Sequence, residues 1–250
     1  ITRNKFRQLI STMTKPPFIK DKTTETANIF ESLGGKFIAK PQELGKKIRK
    51  LKGFIFDWDG VFNDGRKGSG KTSDFAEADS MALHTIRYAY WLKNGELPIM
   101  AIITGQNNQT AFEFAERERL NAVFAGYKDK FEPVEMLKKE FGLKNDELAS
   151  TFDDIIDYPL MVSTAVRFLC KREASPLFTK YVVEKKLCDY ITYSQHPDFP
   201  VREISELIIG MLGNYEEMFS SRFKNKEKYK VFWDFRQSGN TNIYTNDKSF

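Results

Sequence analysis

The sequence predicts an α/β fold with a mainly parallel sheet. Short apolar runs, typical of buried strands, alternate with helical patterns of roughly ten to fifteen residues, which implies repeated strand-helix-strand units. Three of the apolar runs end in polar residues, at Asp57, Thr104 and Asp153. Because ligands bind at the carboxyl ends of strands in open α/β sheets, these strand ends are the expected position of a functional site.

The first strand, residues 54 to 56, stops at Asp57 and Asp59, and Gly60 follows them directly. Residues 64 to 79 are polar and contain three glycines, a composition that predicts a β-hairpin flap over the site. The remaining predicted elements follow in order: a helix around 81 to 94, a strand at 97 to 103, a helix at 109 to 120, a strand at 122 to 125, a helix at 131 to 141, a strand at 148 to 152, a helix at 157 to 168, a strand at 189 to 193 and a helix at 201 to 212.

The remaining segments suggest a division into a central domain and two terminal segments. Residues 1 to 50 are mixed polar and basic, so we expect a peripheral extension, and residues 169 to 186 form a polar insertion. Residues 51 to 213 hold the alternating pattern and form the predicted main domain. The tail, residues 214 to 250, is too aromatic for simple disorder and is expected to pack on this subunit or a neighbour.

Composition limits the function classes. A chain of 250 residues that is 41% hydrophobic can bury one main core. The net charge of +5 is spread along the chain rather than gathered in a stripe, which argues against a nucleic-acid partner. No apolar run approaches the length of a membrane span. Cys170 and Cys188 match no metal or secreted disulfide pattern, although one bridge between them stays open, so a soluble, cytoplasmic protein is expected.

The strand ends together predict phosphoryl-transfer chemistry. Clustered carboxylates such as Asp57, Asp59 and Asp153 repel one another and need a cation, and hard oxygen ligands favour Mg²⁺. One carboxylate can attack phosphorus while another protonates the leaving oxygen and later activates water. The hydroxyl of Thr104 and the ammonium of Lys130 would hold the oxygens of the transferring group.

These residues resemble a known superfamily. Phe-Asp-Trp-Asp-Gly-Val at 56 to 61, Thr104-Gly105, Lys130 and Asp-Asp-Ile-Ile-Asp at 153 to 157 are similar, in order and spacing, to the four motifs of haloacid dehalogenase superfamily phosphatases. The resemblance implies a nucleophile, Asp57, and a general acid/base, Asp59.

The same resemblance assigns the other site residues. It implies that Thr104, Gly105 and Lys130 bind phosphate. It also implies Mg²⁺ held by Asp57, the backbone carbonyl of Asp59, and Asp153, with Asp154 supporting them. For Asp157 two interpretations stay open, either support of the metal site or an early helical acid that favours the helix dipole.

A narrower likeness, from about Lys52 to Leu212, is to the 3-deoxy-D-manno-octulosonate 8-phosphate phosphatase family. It implies a Rossmann-like, three-layer α/β/α domain without a large cap. It further implies a homotetramer in which the hairpin of a neighbouring subunit closes the site, a role that the aromatic tail could share.

The sequence departs from that family where substrate contacts are expected. Ala78-Asp79-Ser80 stands where Arg-Asp-Gly is usual, Gln106 replaces Arg, and Phe152 replaces Gly. The segment before Arg202 lacks the glycine-rich loop. Asp79 and Arg202 are therefore the expected substrate contacts, but in altered surroundings.

The leading hypothesis is a Mg²⁺-dependent phosphatase that acts on a small phosphomonoester, namely an acid-sugar phosphate such as 3-deoxy-D-manno-octulosonate 8-phosphate. A nine-carbon acid-sugar phosphate and an unrelated small phosphomonoester are alternative substrates. A catalytically silent, regulatory homologue is the rival from another class, and a nucleic-acid phosphatase is a third hypothesis that rests only on the basic charge balance.

Overall fold

The computed structural model describes residues 21 to 66 and 74 to 246. Within them an eight-stranded sheet has the order β1-β7-β6-β5-β2-β3-β4-β8, and every neighbouring pair is parallel except β1 with β7. The predicted parallel α/β sheet is therefore confirmed. The strands are β1 (Lys36–Phe37), β2 (Gly53–Phe56), β3 (Ile99–Thr104), β4 (Ala122–Ala125), β5 (Leu148–Phe152), β6 (Val166–Leu169), β7 (Tyr190–Ile191) and β8 (Asn242–Thr245).

Helices cover both faces of this sheet. Successive residues of a strand point to opposite faces, and β2 shows this directly, since Phe54 and Phe56 join one apolar cluster while Ile55 joins the other. The first cluster collects side chains from α1 to α4 and α8 to α10, and the second from α5 to α7, which makes three layers. The helices are α1 (Thr23–Ser32), α2 (Pro41–Ile48), α3 (Glu77–Asn94), α4 (Gln109–Glu118), α5 (Phe131–Phe141), α6 (Tyr158–Ser163), α7 (Pro176–Glu184), α8 (Pro200–Leu212), α9 (Tyr215–Lys224) and α10 (Lys226–Gln237).

One predicted helix is wrong. Residues 157 to 168 form the short helix α6 followed by strand β6, which pairs in parallel with β5. Thr164 ends the helix in an extended conformation, and its hydroxyl donates to the carbonyl of Leu160. A short apolar run is compatible with the periodicity of a helix and with that of a strand, and here pairing with β5 makes residues 166 to 169 a strand. The predicted polar insertion that follows contains α7.

Both terminal segments pack against the main domain where they are described. On the N-terminal side, β1 adds an antiparallel edge strand beside β7, and Phe30 and Leu44 are buried in the first cluster. On the C-terminal side, Met218 and Phe232 enter that same cluster, and β8 extends the sheet in parallel beyond β4. The expected peripheral extension thus contributes to the core over residues 21 to 50, while the domain boundaries themselves stay a prediction.

The predicted hairpin flap, residues 64 to 79, is only partly within the described chain. Residues 67 to 73 lie outside it, residues 64 to 66 and 74 to 76 form no strand, and residues 77 to 79 belong to α3 rather than to a hairpin. The two cysteines, Cys170 and Cys188, are both buried free thiols. Across residues 21 to 66 and 74 to 246, no helix has both the length and the apolar character needed to cross a membrane.

Candidate active site

The candidate site lies at the carboxyl edge of the sheet, where β2 and β5 end side by side. Phe56 pairs with Thr151, and the backbone N–H of Asp57 continues the ladder by donating to the Thr151 carbonyl at 3.0 Å. Asp153 follows Phe152, the last residue of β5. The parallel register therefore brings Asp57 and Asp153 together, although 95 residues lie between them in the chain.

A third carboxylate completes a cluster. Oxygen atoms of Asp57, Asp153 and Asp157 all lie within 4.8 Å of one another, and all three residues are buried. Asp157 belongs to the short 3₁₀ helix Ile155–Asp157, and its Oδ2 accepts the backbone N–H groups of Asp153 at 3.4 Å and Asp154 at 3.3 Å. Asp157 therefore holds the backbone of the loop that carries Asp153 and Asp154.

Lys130 is the cation of this cluster. It immediately precedes α5 and is 1% exposed, and its Nζ donates to Asp57 Oδ1 and to Asp157 Oδ1, both at 2.5 Å. Burial alone would lower the pKa of the Lys130 ammonium, but the two carboxylates outweigh burial and raise that pKa above its ordinary value. The ammonium therefore stays charged and links the strand end to the loop.

The three acids carry more negative charge than Lys130 balances. Burial, and then the neighbouring Asp157 carboxylate, raise the pKa of Asp57 to about 7 although Lys130 opposes the shift. Burial together with Asp57 and Asp157 raises the pKa of Asp153 to about 8 although Arg172 opposes it. Each buried carboxylate here opposes the ionisation of the others, and a divalent cation between them would remove that repulsion. Carboxylate oxygens are also the ligands that Mg²⁺ and Ca²⁺ prefer. The residues present therefore fit a divalent metal ion.

Arg172 also contacts the cluster. Its Nη2 donates to Asp153 Oδ2 in a close ion pair, and its side chain is 38% exposed. The pair lies against Gly60, where an added Cβ would come within 2.1 Å of Asp153 Oδ2 and 2.4 Å of Arg172 Nη2. Gly60 also has a φ of +90°, which favours glycine. Both features explain why glycine follows Asp59 in this loop.

Asp59 is not a member of the cluster of buried acids. It is half-buried and forms an isolated bridge with Asn63, in a turn closed by the Gly60 N–H donating to the Asn63 carbonyl at 2.9 Å. Trp58, between the two acids, is fully buried and packs on the rings of Phe62 and Phe114. The Trp58 side chain therefore belongs to the apolar core.

Thr104 and Gly105 reach the same edge on the other side of β2. Strand β3 pairs in parallel with β2, and Thr104 is its last residue. Thr104 is 1% exposed, its Oγ1 accepts the backbone N–H of Gln106 at 3.4 Å, and Gly105 is half-buried. The sheet thus brings Asp57, Thr104 and Lys130 to one edge, as the sequence predicts.

Asp154 has a structural task at this edge. Its Oδ1 accepts the backbone N–H of Ile155 at 2.7 Å and so caps the turn that carries Asp157. Its role as a support of the metal site stays a prediction. For Asp157, the contact with Lys130 and with the backbone of Asp153 favours the first of its two interpretations, support of the site.

The two expected substrate contacts lie outside the cluster. Arg202, in the first turn of α8, donates from Nη2 to Glu206 Oε1 at 2.6 Å. Asp79, in the first turn of α3, is 0% exposed, and neither carboxylate oxygen has a hydrogen-bond partner by geometry. Burial raises the pKa of Asp79 to about 7, an effect that the nearby backbone of Ala76 reduces. Neither side chain is placed against the acids, and their contact with substrate stays a prediction.

The burial of Asp79 has a measurable consequence for stability. Its pKa in the folded state, about 7, lies above the ordinary value of about 3.9. Between these two pH values the Asp79 carboxyl is protonated in the folded protein and ionised in the unfolded chain. Stability should therefore fall as pH rises from about 4 to about 7, by up to roughly 4 kcal/mol. We expect Asp79→Asn to remove this fall and to raise the free energy of unfolding by roughly 2 to 4 kcal/mol at about pH 8, as measured by urea denaturation.

Asp74→Asn is the matched control for this prediction, since Asp74 is exposed and lies five positions before Asp79. It should leave the pH dependence of the unfolding free energy as it is in the wild type. If the unfolding free energies of Asp79→Asn and the wild type had the same pH dependence, the raised pKa of the buried Asp79 carboxyl would be contradicted.

Arg172 is the site residue that the sequence interpretation missed. It follows β6 by a few residues, and β6 was predicted as part of a helix, so its end was not recognised as a strand end. The signal that could have found it is the alternation in Val-Arg-Phe-Leu followed by a charged loop. A basic residue directly beyond a parallel strand then belongs to the same edge as Asp57 and Asp153.

No family model matches the sequence. Solved structures do share its fold. A protein of Legionella pneumophila assigned to the haloacid dehalogenase superfamily, subfamily IIIA, is 27% identical with a TM-score of 0.61, and the match covers 73% of this chain and 95% of that one. The chain has the fold of the haloacid dehalogenase superfamily.

Two further neighbours carry names that match the narrower resemblance. The 3-deoxy-D-manno-octulosonate 8-phosphate phosphatase of Moraxella catarrhalis, solved with magnesium, phosphate and KDO, is 23% identical with a TM-score of 0.60, over 72% of this chain and 98% of that one. The cobalt-bound enzyme of Haemophilus influenzae is 20% identical with a TM-score of 0.58, over 74% and 99%. The predicted fold class and the resemblance to the haloacid dehalogenase superfamily are confirmed.

Proposed function

We propose that this protein is a Mg²⁺-dependent phosphatase that hydrolyses a small phosphomonoester through an aspartyl-phosphate intermediate. The observation that carries the proposal is the buried cluster in which Lys130 bridges Asp57 and Asp157 beside Asp153, at the carboxyl edge of the sheet. Names and fold of the neighbours support the same reaction.

The metal would be held by Asp57, the backbone carbonyl of Asp59, and Asp153, with Asp154 in support. When bound, it neutralises the charge of the carboxylates and of the phosphoryl group that approaches them. The raised pKa values of Asp57 and Asp153 support this assignment, because a cation beside them restores their ionised forms.

In the first half-reaction a carboxylate oxygen of Asp57 attacks phosphorus, the bond from phosphorus to the ester oxygen breaks, and Asp59 gives its proton to that oxygen. In the second, Asp59 takes a proton from water, the water oxygen attacks phosphorus, and the bond to Asp57 breaks with release of inorganic phosphate. The half-buried position of Asp59 suits an acid that must exchange protons with solvent.

Three donors would hold the transferring group. The Lys130 ammonium has three N–H donors, of which Asp57 and Asp157 take two, so one remains for a phosphoryl oxygen. The Thr104 hydroxyl and the backbone N–H of Gly105 supply the others. Donors fixed before the substrate arrives stabilise the transition state without a cost of reorganisation.

For the substrate we propose an acid-sugar phosphate such as 3-deoxy-D-manno-octulosonate 8-phosphate, with a nine-carbon acid-sugar 9-phosphate as the alternative. The names of the Moraxella and Haemophilus neighbours support the first. The test is a phosphate-release screen over acid-sugar phosphates and unrelated small phosphomonoesters, with Mg²⁺ and with a chelator. Turnover with an acid-sugar phosphate that requires Mg²⁺ is expected, and turnover confined to other phosphomonoesters would reject the substrate class.

A catalytically silent homologue is the second candidate function. The ion pair between Arg172 and Asp153 favours it, because a guanidinium on a metal ligand opposes a divalent cation. Phe152, which stands where the family that the chain resembles has glycine, also favours a catalytically silent homologue. Robust Mg²⁺-dependent turnover of any phosphomonoester in the screen would reject this candidate.

The competition between Arg172 and the metal can be measured without any substrate. Arg172→Met should tighten binding of Mg²⁺ or Mn²⁺ by about three- to tenfold in isothermal titration calorimetry, since the cation no longer has to displace a partly exposed ion pair. Lys171→Met is the matched control, because Lys171 is exposed and pairs with Glu173 instead. Equal or weaker metal affinity in Arg172→Met would contradict the competition.

We further propose a homotetramer in the cytoplasm, in which a neighbouring subunit completes the site. The likeness to the octulosonate phosphatase family supports the assembly, and the two free thiols suit a reducing compartment. Light scattering coupled to size-exclusion chromatography tests the assembly, and a monomer at assay concentrations would reject it.

A further inference from the structure

A cavity of about 360 Å³ lies between α3, α4 and the tail helices α9 and α10. We name it the tail cavity. None of the acids Asp57, Asp153 and Asp157 lines it. The part of its lining that matters below is Glu77, His84, Arg117, Glu118, Arg222 and Arg236.

Positive charge is in excess in the protein beneath this cavity. Arg87 and Arg236 are 2% and 4% exposed, and Glu118 is the buried carboxylate between them. Arg236 Nη2 donates to Glu118 Oε2, whereas Arg87 donates to the backbone carbonyls of Glu118 at 2.5 Å and Arg119 at 3.0 Å. Only one of the two buried guanidinium groups, that of Arg236, is therefore paired with a carboxylate, and a buried charge without such a partner is costly unless an anion lies nearby.

Two observations agree with this imbalance. The Nε atoms of Arg87 and Arg236 are buried and have no hydrogen-bond partner. Burial, and then the charge of Arg236, lower the pKa of Arg87 to about 9. Buried N–H groups without an acceptor are rare in folded proteins. The two arginines therefore have hydrogen-bonding capacity left for an added acceptor such as an anion.

The mouth of the tail cavity adds two more guanidinium groups. Arg117 donates to Glu77 at 2.6 Å, and Arg222 lies with its guanidinium 5.4 Å from the ring centroid of Tyr229. Within the described part of the chain, no carboxylate lies within ion-pair distance of Arg222. Burial and the nearby arginines lower the pKa of His84 to about 3, so His84 is neutral and adds no charge.

We propose that the tail cavity is a binding site for a small oxyanion of the phosphate class. Three arginines, Arg117, Arg222 and Arg236, line the cavity together with two glutamates, Glu77 and Glu118. A fourth, the buried Arg87, donates to the backbone carbonyl of Glu118. Guanidinium groups present paired N–H donors that match the oxygens of such an anion. Arg222 would supply the contact at the mouth, and Arg236 the charge at the base.

The test titrates inorganic phosphate into the full-length protein by isothermal titration calorimetry, at constant ionic strength and with a chelator present. The chelator removes the metal that would help phosphate bind at the carboxylate cluster, and a loss of binding in Arg222→Met assigns the remaining signal to the tail cavity. The wild type should bind one phosphate per chain. Arg222→Met should weaken that binding by about tenfold or more, since one charged hydrogen-bond donor is lost.

Lys224→Met is the matched control, because it removes the same charge from the same helix at an exposed position that does not line the cavity. Its phosphate affinity should equal that of the wild type. Arg117→Met is the second variant, expected to weaken binding as Arg222→Met does, and circular dichroism establishes that each variant is folded. No phosphate binding by the wild type, or equal affinities in Arg222→Met and Lys224→Met, would overturn the proposal.

Discussion

Replacing Asp57 with Asn should lower Mg²⁺-dependent phosphate release by about four orders of magnitude or more, because an amide cannot form the covalent link to phosphorus. The variant should also fold, since Asp57 is buried with a pKa of about 7 and loses charge rather than gaining it. The measurement is phosphate release with the best substrate of the screen, alongside the free energy of unfolding of each protein.

Asp59→Asn separates the two carboxylate roles. It should slow turnover while still allowing Asp57 to take up the phosphoryl group, which acid quenching and sensitivity to hydroxylamine detect as an acyl phosphate. Asp146→Asn, on an exposed turn far along the chain, is the control for loss of a surface charge. Undiminished turnover in Asp57→Asn would exclude the proposed mechanism.

Replacing Lys130 with Met should both abolish phosphate release and destabilise the metal-free protein by about 3 to 5 kcal/mol. The ammonium is 1% exposed and is the shared partner of Asp57 and Asp157, so its loss leaves two buried carboxylates without that cation. Urea denaturation measures the change in the free energy of unfolding.

The destabilisation should depend on pH in a definite direction. Lys130 lowers the pKa of Asp57, so without it the folded-state pKa rises further above the ordinary value of about 3.9. Below about pH 7 Asp57 is protonated in both folded proteins, so the difference in stability between Lys130→Met and the wild type should widen as pH rises above about 7. Lys139→Met, on the exposed side of the same helix, is the matched control and should change stability by less than about 0.5 kcal/mol. A difference that is independent of pH would contradict the described ion pairs.

The local sequence pattern was sufficient to predict an element where it fits only one type of secondary structure. The strand Ala122–Ala125, the helix Phe131–Phe141 and the strand Leu148–Phe152 have the predicted bounds. Each is bounded by residues that stop it, as Gly142 does with a φ of +64° at the end of α5. The secondary structure of such a segment can therefore be predicted from its own residues when its length and its terminating residues are unambiguous.

Local pattern failed where two periodicities fit the same residues. In isolation, the pattern of Val166–Leu169 fits the end of a helix, and pairing with the neighbouring strands β5 and β7 makes it a strand. That error also removed Arg172 from the expected site. The described tail shows a related limit, because its aromatic residues indicate packing but do not say that β8 pairs with β4.

The sequence by itself determined the fold class and the order in which Asp57, Asp59, Thr104, Lys130 and Asp153 reach one edge, because strand ends and their polar residues are local features. Only the tertiary structure decided that Arg172 meets Asp153, that Asp157 shares Lys130 with Asp57, and that Asp79 is buried. Charge balance and burial depend on which distant segments pack together, and no local pattern carries that information.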